Sequence, residues 1–289
     1  MLTAVLIARP DHLSDATVTG LASALQGSAL RWLSPGEAAE FSLPARPAEF
    51  DATRATLLAE GIDLNLVPTA TRRKKMLLAD MDSTMIGQEC IDELADMAGV
   101  GPRVADITAR AMNGELDFEA ALKERVGLLK DLPETVIAQV LAERITYTPG
   151  GRALIATMKR DGGYAALVSG GFTAFTAAVA AHLGFDENRA NTLLAQNGRL
   201  TGEVALPILG RQAKIDALDQ ITARLALSDQ DVIAVGDGAN DLGMLGRAGF
   251  GVALHAKPAV AAQCDLRIHH GDLSALLFLQ GYARSDFAA

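Results

Sequence analysis

One short stretch, residues 77–84 (Leu-Leu-Ala-Asp-Met-Asp-Ser-Thr), limits what this chain can fold into more than any other. An apolar run from Met76 to Ala79 stops abruptly at Asp80 and Asp82, two acids separated by a single residue. Such a run is typical of a buried parallel strand in an open α/β sheet, which places its ligands at the carboxyl ends of its strands. Alternate side chains of an extended segment share a face, so both carboxylates can reach one small site.

A carboxylate pair at this spacing suits phosphoryl transfer. Asp80 can attack phosphorus, while Asp82 protonates the leaving oxygen and later activates water. The plain alternative is a strand that ends in a polar turn, where Asp, Ser and Thr are common. Because short motifs match by accident, the rest of the chain has to decide between these interpretations.

Two further apolar runs end in a similar way. Residues 231–235 lead into Gly-Asp-Gly-Ala-Asn-Asp at 236–241, and residues 164–168 lead into Ser-Gly-Gly at 169–171. In a parallel sheet these polar or glycine-rich ends meet at one edge. We therefore predict an α/β fold in which the ends of all three strands contribute to one site.

Together with Lys214, which precedes the third run, these motifs resemble the haloacid dehalogenase superfamily of aspartate-nucleophile phosphatases, in the family's order. Within it the chain most resembles the phosphoserine phosphatases, over roughly residues 73–289. The resemblance implies a Rossmann-like parallel sheet core with a helical-bundle cap insertion. It also implies Mg²⁺-dependent hydrolysis of O-phospho-L-serine to serine and phosphate, the last step of serine biosynthesis, through an aspartyl-phosphate on Asp80.

The resemblance assigns roles to the residues at the strand ends. Asp80 and Asp237 bind Mg²⁺ through their side chains and Asp82 through its backbone carbonyl, which leaves the Asp82 carboxyl free to transfer protons. An oxygen-rich set of this kind suits Mg²⁺, although Asp237 could instead belong to a plain Gly-Asp-Gly turn. Ser169 and the N–H of Gly170 bind phosphoryl oxygens at the start of the following helix.

The order of the family's motifs assigns roles to three more residues. Lys214 offsets charge that develops on the transferred group, Asn240 contacts the substrate, and Asp241 supports the metal or Lys214. From the residues alone, Lys214 is more simply explained as an exposed helix lysine, and Asp241 as the N-cap of a helix.

Selectivity for phosphoserine requires an anion for its amine and a cation for its carboxylate. By the same resemblance Glu89 and Arg125 supply this pair, and a planar guanidinium suits a carboxylate. Phe118 could close the pocket. Without the resemblance, a solvated glutamate, a surface arginine and a core aromatic residue would be the simpler explanations.

The site is expected to lie beneath a helical cap. Residues 88–145 contain four helical periodicities and no strand pattern, with breaks at 99–102, 113–114 and 131–133. This insertion resembles the family's cap, which can close over a small substrate and exclude water. Farther along, Asn197-Gly198 between two short apolar segments predicts a β-hairpin.

Residues 1–70 are predicted to form a separate α+β domain, joined to the phosphatase domain (73–289) by the basic connection at 69–75. Its alternating strands and helices resemble the ferredoxin-like ACT domain that some phosphoserine phosphatases carry. A glycine-rich turn to receive an amino acid is missing after the first strand, where Arg-Pro-Asp-His stands at 9–12. This argues against effector binding and favours a role in packing or dimerisation, so a homodimer stays open. The predicted elements of this domain are residues 3–8, 14–25, 30–33, 52–58 and 62–67.

Composition excludes several other classes. A formal net charge of −9 argues against a nucleic-acid partner. No apolar run approaches the ~20 residues of a spanning helix, and the first residues lack a signal-peptide pattern. Two cysteines provide no disulfide framework. We expect a soluble cytoplasmic protein that acts on a small molecule and has no membrane partner.

Two rivals to the phosphoserine assignment remain at this point. One is a related phosphatase or phosphotransferase that acts on another small phosphomonoester. The other is a non-catalytic amino-acid sensor acting through residues 1–70, against which the intact pair Asp80 and Asp82 argues.

Overall fold

The computed structural model describes residues 1–112 and 115–288, so the predicted break at 113–114 lies outside the described residues. The described chain forms an antiparallel four-stranded sheet, then a parallel six-stranded sheet with helices and a two-stranded hairpin. Among the described helices we find none with the combined length and apolar character needed to cross a bilayer.

The first sheet has the βαββαβ order and the strand arrangement β2-β3-β1-β4 of a ferredoxin-like fold. This confirms the predicted N-terminal α+β architecture. The prediction did not include β3, and β2 is longer at both ends than expected. The elements are β1 Leu2–Ala8, α1 Asp15–Ala24, β2 Ser28–Ser34, β3 Ala38–Leu43, α2 Phe50–Ala59 and β4 Ile62–Pro68.

The second sheet has the order β12-β11-β10-β5-β6-β7, with parallel neighbours throughout. Its strands are β5 Met76–Ala79, β6 Tyr164–Phe172, β7 Glu187–Asn191, β10 Val232–Gly236, β11 Phe250–Leu254 and β12 Leu266–Ile268. The three strands predicted to share a site are therefore direct neighbours, with β5 between β10 and β6. All four residues of β5 are fully buried, which explains why this strand is a continuous apolar run rather than an alternating one.

Helices cover this sheet and form the predicted cap. The cap helices are α3 Cys90–Met97, α4 Gly101–Met112, α5 Phe118–Gly127 and α6 Thr135–Glu143. The remaining helices are α7 Gly151–Arg160, α8 Thr173–Leu183, α9 Arg211–Leu225, α10 Leu242–Arg247, α11 Pro258–Ala261 and α12 Ala275–Leu279.

The predicted hairpin is present and belongs to the cap side. It consists of β8 (Leu193–Gln196) and β9 (Arg199–Val204), and its turn residues Asn197 and Gly198 have φ of 53° and 74°, as a type I′ turn requires. Leu200 exchanges backbone hydrogen bonds with the loop after α5, donating to Leu132 O and accepting from Asp131 N, both at 2.9 Å. The hairpin therefore contacts the cap at α5 and the loop that follows it.

Both faces of the N-terminal sheet are covered within the chain. One face packs on α1 and α2, with Ala4, Leu6 and Phe41 in its core. On the other face, Val5 and Ile7 join the large core of the unit built on the six-stranded sheet, where the buried side chains of α12 meet them. This surface is thus used for internal packing. The division into domains 1–70 and 73–289 stays a proposal.

The edge strand β4 contacts β12 through side chains. The carboxylate of Asp63 accepts the backbone N–H groups of His269, His270 and Gly271 at 2.9, 2.9 and 3.1 Å. Asn65 donates to Arg267 O at 2.9 Å and accepts from Arg267 N at 2.8 Å. Polar groups at the edge of β12 are thereby satisfied by the N-terminal unit, which joins the two sheets.

Candidate active site

Asp80 stands at the end of β5, in the middle of the six-stranded sheet. Its backbone N–H donates to Val235 O at 3.0 Å, so the pairing with β10 continues for one residue beyond the strand. The residue is only 5% exposed. Asp237 follows β10 directly, which brings these two carboxylates to the same edge, as the strand pattern predicted.

Lys214 on α9 lies behind Asp80 and is not an exposed helix lysine. Its Nζ is 2.6 Å from Asp80 Oδ1 and 2.5 Å from Asp241 Oδ1, and the residue is 2% exposed. Burial alone would lower the pKa of Lys214, but the two carboxylates outweigh burial and raise this pKa above its ordinary value. Lys214 is therefore a fixed cation held between two buried acids.

Asp241 precedes α10, but its side chain caps no N–H of that helix. Instead Oδ2 accepts the N–H of Gly238 at 2.9 Å, while Oδ1 binds Lys214. The residue is completely buried. Asp241 thus fixes both the turn after β10 and the position of the lysine, and the N-cap alternative is wrong for its side chain.

Carboxylate oxygens of Asp80, Asp237 and Asp241 lie within 4.8 Å of one another. Burial, with a smaller contribution from neighbouring acids, raises the pKa of Asp237 to about 6. Burial also raises the pKa of Asp80, and Lys214 opposes this shift. Crowded, buried carboxylate oxygens are the donors that hard divalent cations prefer, so this set fits such an ion. Because both oxygens of Asp241 are already engaged, Asp80 and Asp237 are the better placed donors.

Asp82 lies next to this cluster and is partly buried. Its Oδ1 accepts the N–H of Cys90 at 3.4 Å, at the start of α3. Burial and the nearby charge of Glu89 raise the pKa of Asp82 to about 7. A Cβ at Gly171 would lie 2.7 Å from Asp82 Oδ2, so a side chain at this position would clash with the carboxyl group of Asp82 in its present position. Asp82 is therefore a carboxyl that can hold a proton near neutral pH.

The Ser-Gly-Gly segment differs from the prediction in one respect. Ser169, Gly170 and Gly171 belong to the last part of β6, and α8 begins only at Thr173, so they do not start the helix. The hydroxyl oxygen of Ser169 accepts the N–H of Gly171 at 2.9 Å. Ser169 is buried, and both it and Gly170 face the same cavity as Asp80.

The aromatic ring of Phe118 lies at the contact between cap and core. A Cβ at Gly170 would come within 3.3 Å of this ring, and one at Gly210 within 3.1 Å. Glycines at both positions therefore let the first residue of α5 press against the core. Phe118 is still 39% exposed, as expected for a side chain at the rim of a cavity.

Glu89 and Arg125 reach the cavity from the cap. Glu89 precedes α3, and its Oε1 accepts the hydroxyl of Ser83 at 2.8 Å. Arg125 on α5 donates through Nε to Ala121 O at 3.2 Å. Burial lowers the pKa of Arg125, while Asp92 and Glu89 oppose that shift. One anion, at the start of α3, and one cation, on α5, thus face the same space.

The cavity between cap and sheet has a volume of about 550 Å³. It brings together all the predicted site residues except Lys214, which contacts Asp80 from behind, and Asp241, which contacts Lys214. Sequence reasoning missed Thr84, whose hydroxyl donates to Asp237 Oδ1 at 3.1 Å, although it belongs to the motif that opens the site. It also missed Lys257, which immediately precedes α11, and Val260 within that helix; both line the cavity, and no motif indicated them.

The architecture and the strand-end acids agree with the comparison with known families. The model of the haloacid dehalogenase-like hydrolases matches residues 77–246, more than half of the chain, and the chain belongs to this family. The curated relatives that it resembles at about 40% identity are phosphoserine phosphatases.

Three of these relatives show the extent of the likeness. The Methanocaldococcus jannaschii phosphoserine phosphatase is 41% identical over 206 residues, which are 71% of this chain and 97% of the relative. The Vibrio cholerae phosphoserine phosphatase is 43% identical over 211 residues, 73% of this chain. The Streptomyces coelicolor phosphoserine phosphatase is 40% identical over 261 residues, 88% of this chain. The chain spans only 64% of the V. cholerae relative and 63% of the S. coelicolor one.

Solved structures extend the likeness to the whole fold. A haloacid dehalogenase family hydrolase from Salmonella enterica serovar Typhi superposes with a TM-score of 0.88 at 32% identity, covering 96% of this chain and 97% of that one. A phospho-aspartyl intermediate analogue of phosphoserine phosphatase superposes with a TM-score of 0.66 at 41% identity, covering 71% and 98%. The first structure includes the N-terminal sheet in the match, because its alignment spans almost the full chain.

Proposed function

We propose that this protein is a Mg²⁺-dependent phosphoserine phosphatase that hydrolyses O-phospho-L-serine to serine and phosphate. The observation that carries the proposal is a single cavity with two chemically distinct ends. Asp80, Asp82 and Asp237 stand at the sheet end, and Glu89 with Arg125 at the cap end. The identity of about 40% to curated phosphoserine phosphatases supports the same assignment.

The first half of the reaction needs a nucleophile and a proton donor. A carboxylate oxygen of Asp80 attacks phosphorus, and the bond from phosphorus to the serine oxygen breaks. Asp82 gives its proton to that leaving oxygen, which would otherwise depart as a poor alkoxide leaving group. The raised pKa of Asp82, about 7, suits this role because the carboxyl holds a proton near neutral pH.

The second half reverses these roles. A water molecule attacks the phosphorus of the aspartyl-phosphate while Asp82, now a carboxylate, accepts the proton of that water. The bond between phosphorus and Asp80 breaks, which releases phosphate and restores both carboxyl groups. Cap closure over the cavity, with Phe118 against Gly170, limits the entry of other water molecules.

Charge neutralisation falls to several groups. Asp80 and Asp237 would hold Mg²⁺ through their side chains, and Asp82 through its backbone carbonyl. When bound, the ion offsets the negative charge of the phosphate and polarises its oxygens. Lys214 stays fixed beside Asp80 and offsets charge on the transferred group. Ser169, Gly170 and Asn240 bind the phosphoryl oxygens from the cavity wall.

Recognition of the serine part comes from the cap. The Glu89 carboxylate meets the substrate amine, and the Arg125 guanidinium meets the substrate carboxylate. Arg125 suits this role because only its Nε is engaged, by Ala121 O, within the described part of the chain. A substrate lacking either group leaves one of these charges without a partner in a partly buried site.

Phosphate release from a panel of phosphomonoesters, with and without Mg²⁺, tests the proposal. The panel includes O-phospho-L-serine, O-phosphothreonine, glycerol phosphate and an aryl phosphate. We expect the highest kcat/KM for O-phospho-L-serine and no turnover after chelation of divalent ions. Higher kcat/KM for a compound without an amino-acid group would assign the site to another small phosphomonoester.

A further inference from the structure

A second cavity lies between the N-terminal sheet and the phosphatase unit. It has a volume of about 470 Å³ and shares no lining residue with the catalytic cavity. Its walls come from the end of β1, from the segment before α7, and from the ends of β11 and β12. The residues used below are Arg9, Glu37, His255, His269, His270 and Asp272.

This cavity concentrates the histidines of the protein. Three of the five in the sequence, His255, His269 and His270, line it together with Arg9. Arg9 is exposed, and its guanidinium makes no hydrogen bond or ion pair with any residue in the described ranges 1–112 and 115–288. A free guanidinium beside three imidazoles is an arrangement suited to an anion.

The acidic groups of the same walls are already engaged. Glu37 accepts the hydroxyl of Ser34 at 2.7 Å and forms an ion pair with Arg284. Asp272 Oδ1 accepts the backbone N–H of Ser274 at 2.7 Å. Behind the wall, the Asp63 carboxylate is occupied by three backbone N–H groups. Arg9 is therefore the cation left available to a ligand.

Hydrogen bonding identifies Nε2 as a protonated ring nitrogen in two of the imidazoles. The Nε2 of His255 lies 2.8 Å from Gly271 O, and the Nε2 of His270 lies 3.0 Å from Leu58 O. Because a carbonyl oxygen only accepts, each Nε2 carries the proton, and in the neutral ring Nδ1 is an acceptor. Among the described residues, no three of the histidines and acids in this cavity approach closely enough to hold a metal ion.

We propose that this interdomain cavity is a second binding site, for inorganic hydrogen phosphate. Phosphate oxygens accept the N–H groups of Arg9, and the O–H of hydrogen phosphate donates to an imidazole Nδ1. A ligand with both acceptor oxygens and a proton matches the two kinds of group on the walls. This site does not depend on the catalytic proposal, since it uses none of the residues of the catalytic cavity.

Histidine ring signals in NMR spectra give a direct test with internal controls. The intact protein is titrated with inorganic phosphate in the presence of a chelator, because the catalytic cavity then holds several uncompensated carboxylates and repels phosphate. We expect the ring signals of His255, His269 and His270 to shift with one common Kd. The signals of His12 and His182, which lie outside this cavity, stay in place.

Variants on the N-terminal unit locate the binding. Arg9→Ala changes an exposed side chain and should weaken phosphate binding about tenfold or more, because it removes a charge-assisted contact. Arg46→Ala, an exposed arginine paired with Asp51 elsewhere on this unit, should leave the Kd unchanged. Absence of the three shifts, or an unchanged Kd in Arg9→Ala, would overturn the proposal. Sulfate binding as tightly as phosphate would overturn the assignment of Nδ1 as an acceptor for the ligand's proton.

Discussion

Asp63 and Asp80 are both almost completely buried, at 3% and 5% exposure, but their surroundings differ. Asp63 accepts three backbone N–H groups from one loop and has its hydrogen-bonding capacity met by the fold. Asp80 has one cation, Lys214, which it shares with Asp241, and further acids crowd the same edge.

The difference separates a carboxylate whose hydrogen bonds are supplied by the fold from one to which the proposed function assigns chemistry. Because three backbone N–H groups donate to Asp63, this residue connects the two sheets. Its loss should lower the free energy of unfolding. The acids around Asp80 repel one another, so their arrangement costs stability, as is common among groups that carry out chemistry. Burial alone does not distinguish the two roles, whereas the balance of donors and acids around each carboxylate does.

The largest expected effect sharpens this contrast at Asp80. Asp80→Asn keeps the shape of the side chain but provides an amide, which is a poor nucleophile. We expect kcat for O-phospho-L-serine to fall by at least on the order of 10⁴-fold. The free energy of unfolding should stay within about 1 kcal/mol of the wild type, because like-charge crowding is relieved while Lys214 retains Asp241. Denaturant titration and phosphate release measure both quantities, and undiminished turnover would rule out Asp80 as the nucleophile.

Asp82→Asn separates proton transfer from nucleophilic attack. Removing general acid catalysis should lower kcat for O-phospho-L-serine by roughly 10²–10⁴-fold. An aryl phosphate, whose phenolate leaves without a proton, should lose less in the step that forms the aspartyl-phosphate. Burst-phase kinetics with both substrates measure that step. Equal losses for the two substrates would show that Asp82 does not protonate the leaving group.

Asp63→Ala should show the opposite behaviour to Asp80→Asn. It leaves three backbone N–H groups of the 269–271 loop without their acceptor, which we expect to destabilise the protein by about 3–5 kcal/mol. Well below the unfolding transition, kcat for O-phospho-L-serine should change less than about twofold, since no catalytic group is touched. Urea unfolding combined with kinetics at low temperature checks both expectations. A large loss of kcat in a fully folded variant would connect this junction to the active site.

Arg125→Ala tests selectivity at the cap end of the cavity. Losing a hydrogen bond to a charged group costs about 1.5–3 kcal/mol, or roughly tenfold to over a hundredfold in kcat/KM for O-phospho-L-serine. An aryl phosphate has no carboxylate and should be almost unaffected. Arg103→Ala, an exposed arginine on the neighbouring helix α4, is the matched control and should change neither substrate. A parallel fall for both substrates would make Arg125 a structural or phosphate-binding residue.

The smallest effect concerns Glu40, a second carboxylate with well-matched partners. Burial would raise the pKa of Glu40, but Arg72 and Arg31 outweigh burial and hold it below its ordinary value of 4.5. A lowered pKa contributes stability that is present above pH 4.5 and is lost as the pH falls through the folded-state value. Glu40→Gln should therefore cost about 1 kcal/mol at pH 7, because Arg31 is half exposed, and progressively less below pH 4.5. Urea unfolding across this pH range measures the difference, and a constant gap would contradict the ion-pair explanation.

The elements that form the catalytic site were predictable because buried parallel strands are continuous apolar runs. β5, β6 and β10 show this pattern, and each ends in residues with chemical function. β7 was missed because its sequence, Glu-Asn-Arg-Ala-Asn, is polar and lacks any alternation. β3 carries a glutamate and a serine among its apolar residues, which weakens its pattern in the same way.

Contacts between distant parts of the chain could not be predicted in this way. The partners of Asp63 are more than 200 positions away, and nothing in the residues around Asp63 indicates them. Lys257 lines the catalytic cavity only because the fold places the start of α11 next to that cavity. Lys214 could be assigned from the order of the family's motifs, whereas its burial between two acids emerged only from the fold.

The position of α12 has a consequence for the synthesis of the protein on the ribosome. β1 to β4 emerge before the six-stranded sheet, but one face of their sheet is covered by the unit built on that later sheet, with Val5 and Ile7 in the same core as the buried side chains of α12. α12 begins at Ala275, about 200 residues after β4 ends. At a translation rate of ~5–20 residues per second, α12 is synthesised roughly 10–40 s after β4. Until then it cannot pack on that apolar face. During this interval the nascent chain exposes a surface that chaperones can bind.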